Sequence, residues 1–207
     1  MINNIINKFK NKEPYISGWE KMKRSSVAIL LVEIDKKLNI VFEVRAKSMK
    51  TQPGDIAFTG GRIDKGEEPE EAVIREIKEE IGLDKGDFEI ICPLDILVTN
   101  YNQIIHPYLA YVKNPDKFKL NPDEVDELLI IPIEELLKIE PLKIKNTVEV
   151  NREGFPYHLI HGGANYKFYK GEVETLFYTY KDKVIWGMTA KMLEDFLNKI
   201  KYKGEDK

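Results

Sequence analysis

The stretch from Gly61 to Leu83 constrains this chain more than any other. Gly61-Arg62-Ile63-Asp64-Lys65-Gly66-Glu67 forms a glycine-bounded loop. It feeds a helical pattern that ends in Arg75-Glu76-Ile77-Lys78-Glu79-Glu80-Ile81-Gly82-Leu83. Pro69 sits where a first helical turn tolerates proline, and Gly82 sits where a helix tends to stop. Between them Val73, Ile74, Ile77 and Ile81 recur at three- and four-residue steps and make an apolar stripe. On another face Glu76, Glu79 and Glu80 are related as i, i+3 and i+4. Like charges so placed repel, and a fold that holds them close pushes carboxylates toward protonation. A hard divalent cation such as Mg²⁺ or Mn²⁺ removes the conflict and leaves places for substrate phosphates. A solvated acidic helix face is the plainer alternative.

The order Gly, five residues, Glu, seven residues, Arg-Glu-Ile-x-Glu-Glu-x-Gly-Leu resembles the Nudix box, with Ile77 and Leu83 in its two large-aliphatic positions. The resemblance implies an α/β fold, a Nudix-type α/β/α sandwich with a central mixed sheet. It also implies hydrolysis of a diphosphate linked to another group, with Mg²⁺ or Mn²⁺ as cofactor. By that analogy Glu76, Glu79 and Glu80 are the metal-binding, catalytic carboxylates, and the carbonyl of Gly61 faces the metal. Arg75 orients Glu76 through a charged hydrogen bond. Glu67 holds the loop against the helix and Gly82 ends it, so these two are structural; an ordinary Glu67–Arg75 ion pair is the alternative.

A second pattern precedes the box. Val41-Phe42-Glu43-Val44-Arg45-Ala46, followed by Lys50, Gly54, Phe58 and Gly60-Gly61, resembles the accessory motif of coenzyme A pyrophosphatases. That motif reads Leu-Leu-Thr-x-Arg-(Ser/Ala), three residues, Arg, three residues, Gly, three residues, Phe-Pro-Gly-Gly. Arg45, Ala46, Gly54, Phe58, Gly60 and Gly61 match in register. Val41-Phe42-Glu43, Lys50 and Thr59 depart from it. The resemblance makes Arg45 and Lys50 substrate-binding cations for coenzyme A phosphates, although lysine lacks the planar fork of arginine. Solvated hairpin charges are the alternative. Ile185-Trp186-Gly187-Met188-Thr189-Ala190 resembles the C-terminal segment of the same group and is expected to start a helix with Trp186 buried.

Outside the box, Glu124 is the leading candidate for an extra catalytic carboxylate, because Glu-Val after the turn Asn121-Pro122-Asp123 resembles the corresponding stretch of that group; Glu127 comes second. His106 reads as a structural histidine, and Cys92 as a small buried hydrophobe. The aromatic run Tyr166, Phe168, Tyr169, Phe177, Tyr178 and Tyr180 suits core packing, with adenine stacking as the alternative.

The 207 residues are expected to form one Nudix hydrolase domain over 1–207, with a helical extension at 1–23 and a frayed tail at 201–207. Strands are expected at Ser26–Ile34, Ile40–Arg45, Phe88–Val98 and Ile104–Val112. Further strand-like segments are Leu142–Val150, Phe155–Ile160, Tyr166–Tyr169 and Leu176–Tyr180. Ile2, Ile5, Ile6 and Phe9 are spaced for an amphipathic helix expected to pack on the domain. A net charge of −3 gives no general pull toward nucleic acid or membrane, and the single cysteine and the lack of a long apolar segment suit a cytoplasmic protein. The partner expected is a small-molecule substrate, coenzyme A or a related nucleotide diphosphate. A homodimer is left open. ADP-ribose, a dinucleotide or a nucleoside triphosphate is the alternative substrate, and a nucleotide-sensing module without catalysis the alternative function.

Overall fold

The computed structural model describes residues 2–201, and its architecture follows from one strand that is covered on both sides. In β1 (Lys23–Ile34) the run Val27-Ala28-Ile29-Leu30-Leu31-Val32 is apolar at every position. A strand solvated on one face would alternate. Here Ala28, Leu30 and Val32 point into one core cluster, and Ile29 into another.

The helix α1 (Ile2–Phe9) precedes β1 and buries none of its residues, contrary to the packing expected of it. After it, Tyr15 and Trp19 meet edge-to-face, and Arg24 lies over the Trp19 ring, which ties the extension to the start of β1. The hairpin from β1 to β2 (Lys37–Arg45) turns in two residues rather than the five expected, because Asp35 and Lys36 both take positive φ. Two short strands follow, β3 (Ile56–Ala57) and β4 (Thr59–Arg62), and then the box helix α2 (Pro69–Ile81).

The segment expected as one strand at Phe88–Val98 is broken into β5 (Phe88–Pro93) and β6 (Leu97–Thr99). The β5 ladder is bulged before Cys92, and Leu94 donates its N–H to Pro107 between the two strands. Next come β7 (Gln103–Val112), β8 (Val125–Pro132) and the short helix α3 (Ile133–Leu136). These strands make a mixed sheet on the path β3-β2-β1-β7-β5, with β4 on β1, β6 on β7 and β8 on β2. Only the β1–β7 pairing is parallel.

A second sheet of three strands runs β11-β10-β9, from β9 (Leu142–Val148), β10 (Gly171–Tyr180) and β11 (Lys183–Trp186). The segments 155–160 and 166–169 are not strands. A 3₁₀ turn at Tyr157–Leu159 lies in the first, and Phe168 packs on Phe155 and Tyr157 as a separate aromatic cluster, with Tyr166 against Phe168 and Arg152 over its ring. Ile185 and Trp186 end β11, and α4 begins only at Gly187, running to Lys201. Trp186 is 43% exposed rather than buried; it stacks on Phe177 and donates to Asp55. The expected frayed tail, apart from Lys201, lies outside the described residues.

The two helices cover opposite faces of the main sheet. Val73, Ile77 and Ile81 of α2 join Ala28, Leu30, Val41 and Ala110 on one side. Met192, Leu193, Phe196 and Leu197 of α4 join Ile29, Ile40, Phe42 and Leu176 on the other. This is the α/β/α sandwich with a mixed central sheet. Each buried Ile or Leu at these contacts is worth about 2–5 kcal/mol on truncation to Ala.

The end of α2 is fixed by Gly82, at φ +72, whose N–H bonds the Lys78 carbonyl. A Cβ there would lie 2.5 Å from the Lys119 carbonyl oxygen. Gly82→Ala is therefore expected to lower stability by about 2 kcal/mol, read as a reduced midpoint in chemical denaturation with an unchanged m-value.

Candidate active site

The glycine loop and the acidic helix meet where β4 runs beside β1. Gly60 and Gly61 pair with Val27 and Ser26, and both approaches exclude a side chain. A Cβ on Gly60 would lie 2.3 Å from the Ser26 carbonyl oxygen; one on Gly61 would lie 2.4 Å from Glu76 Oε1. The backbone at Gly61 thus lies directly against Glu76. Gly60 N–H donates to Glu80 Oε2 at 2.8 Å, which pins the second carboxylate to the same strand.

Arg75 organises the rim. Its Nε and Nη2 reach the two oxygens of Glu67 at 2.9 and 3.1 Å, and its Nη1 reaches Glu76 Oε1 at 2.8 Å and Glu79 Oε2 at 2.9 Å. Nη2 also donates to the Arg62 carbonyl. Glu67 in turn accepts from Asp64 N–H at 2.9 Å, so its carboxylate touches both the loop and the helix. These bonds lower the pKa of Glu67, first through Arg75, and raise that of Arg75, first through Glu67.

The expected triplet is not the one the fold assembles. Oxygens of Glu76, Glu80 and Glu124 lie within 4.8 Å of one another. Glu79 is outside this cluster, with its side chain 51% exposed and held by Arg75. The reason is helical geometry: consecutive residues are turned by about 100°, so Glu79 and Glu80 flank Glu76 on opposite sides. Glu80 turns into the sheet and Glu79 toward solvent.

Glu124 arrives from the turn before β8, where Glu124 and Val125 N–H both bond the Asn121 carbonyl, and its own carbonyl accepts from Ala46 N–H at 2.9 Å. That bond joins the turn to the end of β2, where Arg45 sits. Glu127 lies three residues further on, within β8, and its carboxylate pairs with Lys183.

Glu43 is the residue the sequence reading passed over. It is fully buried, and neither carboxylate oxygen has a hydrogen bond of normal geometry among the described residues. Arg45 Nη1 is 3.7 Å from Oε1, and the side chains of Glu80 and Thr59 face it. Burial, chiefly, raises Glu43 to about 7 against the lowering pull of Arg45. Burial first, and then the charge of Glu43, push Glu80 up to about 10; burial also raises Glu76. A signal for Glu43 was present. It interrupts the apolar run of β2, and Glu43 and Thr59, two departures from the accessory motif, face each other in space.

These residues fit a hard divalent cation. They offer three converging carboxylates, a close-packed glycine backbone and buried carboxylate oxygens with no partner, which is the oxygen-only donor set Mg²⁺ and Mn²⁺ prefer. Arg45 is mostly buried at the edge of this nest. Lys50 lies exposed on the loop between β2 and β3, and no salt bridge holds it among the described residues.

His106 is buried and is not one of the clustered residues, with Tyr15 Oη 3.5 Å from its Nε2, and burial lowers its pKa, as suits a structural residue. Cys92 is half-buried. The aromatic run divides: Tyr178 is in the core, Phe177 under Trp186, and Tyr169 fully exposed. No helix of the described residues is long and apolar enough to cross a membrane.

The NUDIX domain profile matches residues 22–152, more than half of the chain. Nudix hydrolase 3 of Caenorhabditis elegans is 26% identical over 182 residues, 83% of this chain and 71% of that protein. A mouse peroxisomal coenzyme A diphosphatase is 27% identical over 146 residues, 68% of this chain and 62% of its own length. A MutT/nudix protein from Enterococcus faecalis shares the fold at a TM-score of 0.51 and 13% identity, over 97% of this chain and 69% of that one. With box, sandwich and acidic cluster in place, the chain belongs to the Nudix family and is a hydrolase of diphosphate linkages.

Proposed function

We propose that the protein is a coenzyme A diphosphatase, cleaving coenzyme A to 4′-phosphopantetheine and adenosine 3′,5′-bisphosphate. The observation that carries the reading is the link between the two motifs. The loop that starts with Arg45 and Ala46 is hydrogen-bonded through Ala46 to Glu124, a member of the acidic cluster. A phosphate-rich substrate gripped by Arg45 and Lys50 would therefore present its diphosphate to the carboxylates. The matched residues of the accessory motif support this substrate, as does the similarity to proteins bearing the coenzyme A diphosphatase name in mouse and C. elegans.

Glu76, Glu80 and Glu124 would hold Mg²⁺ or Mn²⁺, with Glu79 able to join from the rim by leaving Arg75. The cation, when bound, would screen the diphosphate and acidify water. Arg75 keeps Glu76 from rotating away, and the Gly60 N–H does the same for Glu80. The hydrolysis joins a water oxygen to phosphorus and breaks the bridging P–O bond. The proton leaves to a carboxylate, Glu80 or Glu124, and the departing phosphate carries the bond's electron pair.

Three outcomes are expected. On a panel of coenzyme A, ADP-ribose, dinucleotides and nucleoside triphosphates with Mg²⁺ or Mn²⁺, coenzyme A gives the highest kcat/KM. Mass spectrometry in ¹⁸O-water finds the label in one of the two named products; another substrate ahead of it rejects the assignment. Glu80→Gln and Glu124→Gln each lower kcat by about 10²–10⁴, while Glu79→Gln also raises the Mg²⁺ concentration needed for half activity. The third concerns cation-free protein. Glu43 and Glu80 sit above their ordinary 4.5, so they favour the folded state below that pH and lose this contribution as pH rises toward 7 and then 10. The thermal midpoint in chelator should fall between about pH 6 and pH 9, Mg²⁺ should restore it at the upper end, and Glu43→Gln should flatten the slope. A midpoint that climbs with pH in chelator contradicts the electrostatics.

A further inference from the structure

The three-stranded sheet ends in an unusual edge. All seven residues of β9 are exposed, and among the described residues no strand pairs with its outer side. Lys143 stands opposite Leu176, which is buried beneath α4, and its Nζ bonds Glu194 of that helix. Leu142, Ile144 and Val148 therefore point the other way. There they continue a row through Phe177 to Trp186, since Leu142 pairs with Phe177 and Phe177 with Trp186. One face of this sheet is covered by α4, while the other carries an uncovered apolar strip beside an open strand edge. Such an edge is a template for another strand.

The sequence says which strand. Residues 142–150 read Leu-Lys-Ile-Lys-Asn-Thr-Val-Glu-Val. Placed antiparallel to a copy of itself with a twofold axis through Asn146, β9 sets Ile144 against Val148; extended by the two residues that follow it, it also sets Lys143 against Glu149 and Leu142 against Val150. Apolar side chains meet on the outer face and opposite charges meet at both ends, which is the cross-strand pairing that stabilises a ladder. Neighbouring twofold registers are poorer. An axis at Lys145 sets that lysine on its own copy, and one at Thr147 sets Asn146 against Val148.

We propose that the protein forms an isologous homodimer by antiparallel pairing of β9 with β9 of a second copy about Asn146, joining two three-stranded sheets into one. The pairing is independent of the coenzyme A assignment and leaves the acidic cluster of each copy untouched. In the dimer Lys143 bridges Glu194 of its own chain and Glu149 of the partner copy, which exchanges its exposed ion pair with Lys170 for this one.

Sedimentation velocity on the full chain tests this. The wild type should sediment as a dimer at micromolar concentration. Glu149→Lys, an exposed position, should raise the dimer dissociation constant at least about tenfold, because two like charges then face each other at each end. The swapped pair Lys143→Glu/Glu149→Lys should restore it, with thermal melts confirming that both variants are folded. In a Cys92→Ser background, Asn146→Cys should give an interchain disulfide on mild oxidation. A monomeric wild type, a dimer indifferent to Glu149→Lys, or no cross-link at the axis each overturns the proposal.

Discussion

The rest of the site depends on a mutual repulsion that the fold enforces. Glu43 and Glu80 face each other in the interior, Glu76 and Glu124 converge on Glu80 from either side, and the cations within reach, Arg75 and Arg45, lie at the periphery. Water alone cannot screen so many buried carboxylates, and removing their charge by protonation is what the raised pKa values of Glu43, Glu76 and Glu80 describe. A divalent cation is the other resolution. The surrounding structure serves to hold the carboxylates in this position. The two glycines bring the backbone in, the Gly60 N–H fixes Glu80, Arg75 fixes Glu76, and the sandwich keeps α2 against β1.

This arrangement separates residues that hold charge in place from residues that carry it. Arg75 spans Glu67, Glu76, Glu79 and the Arg62 carbonyl, so loop and helix cannot move independently. Glu124 is joined to the start of the β2–β3 loop by one backbone hydrogen bond, and at the far end of that loop Asp55 accepts from the exposed Trp186. A continuous path of contacts thus runs from the acidic cluster to the C-terminal Trp-Gly segment. Two stretches far apart in sequence are neighbours in the fold.

Much of this was legible in the chain. The helix from Pro69 to Gly82, its apolar stripe and the buried β1 are local patterns, and local periodicity reports them directly. The candidate carboxylate Glu124 was legible only through resemblance, since nothing in the turn itself announces where it points. What the sequence leaves open shares one cause, which is tertiary context. Glu79 differs from Glu80 only by a rotation about the helix, invisible until the sheet shows which side is inside. Glu43 sits in a strand whose pattern says core, and its role depends on Glu80, thirty-seven positions away. Trp186 looked like a helix start because its neighbours do; it is exposed because the sheet it closes has one bare face.

The central claim is that the buried carboxylates exist to bind a divalent cation, and crystallography with manganese tests it most directly. Crystals soaked in Mn²⁺ at alkaline pH should show an anomalous peak bounded by carboxylate oxygens of Glu76, Glu80 and Glu124. Side chains of those residues turned to bulk solvent, with no anomalous density between them, would contradict the account.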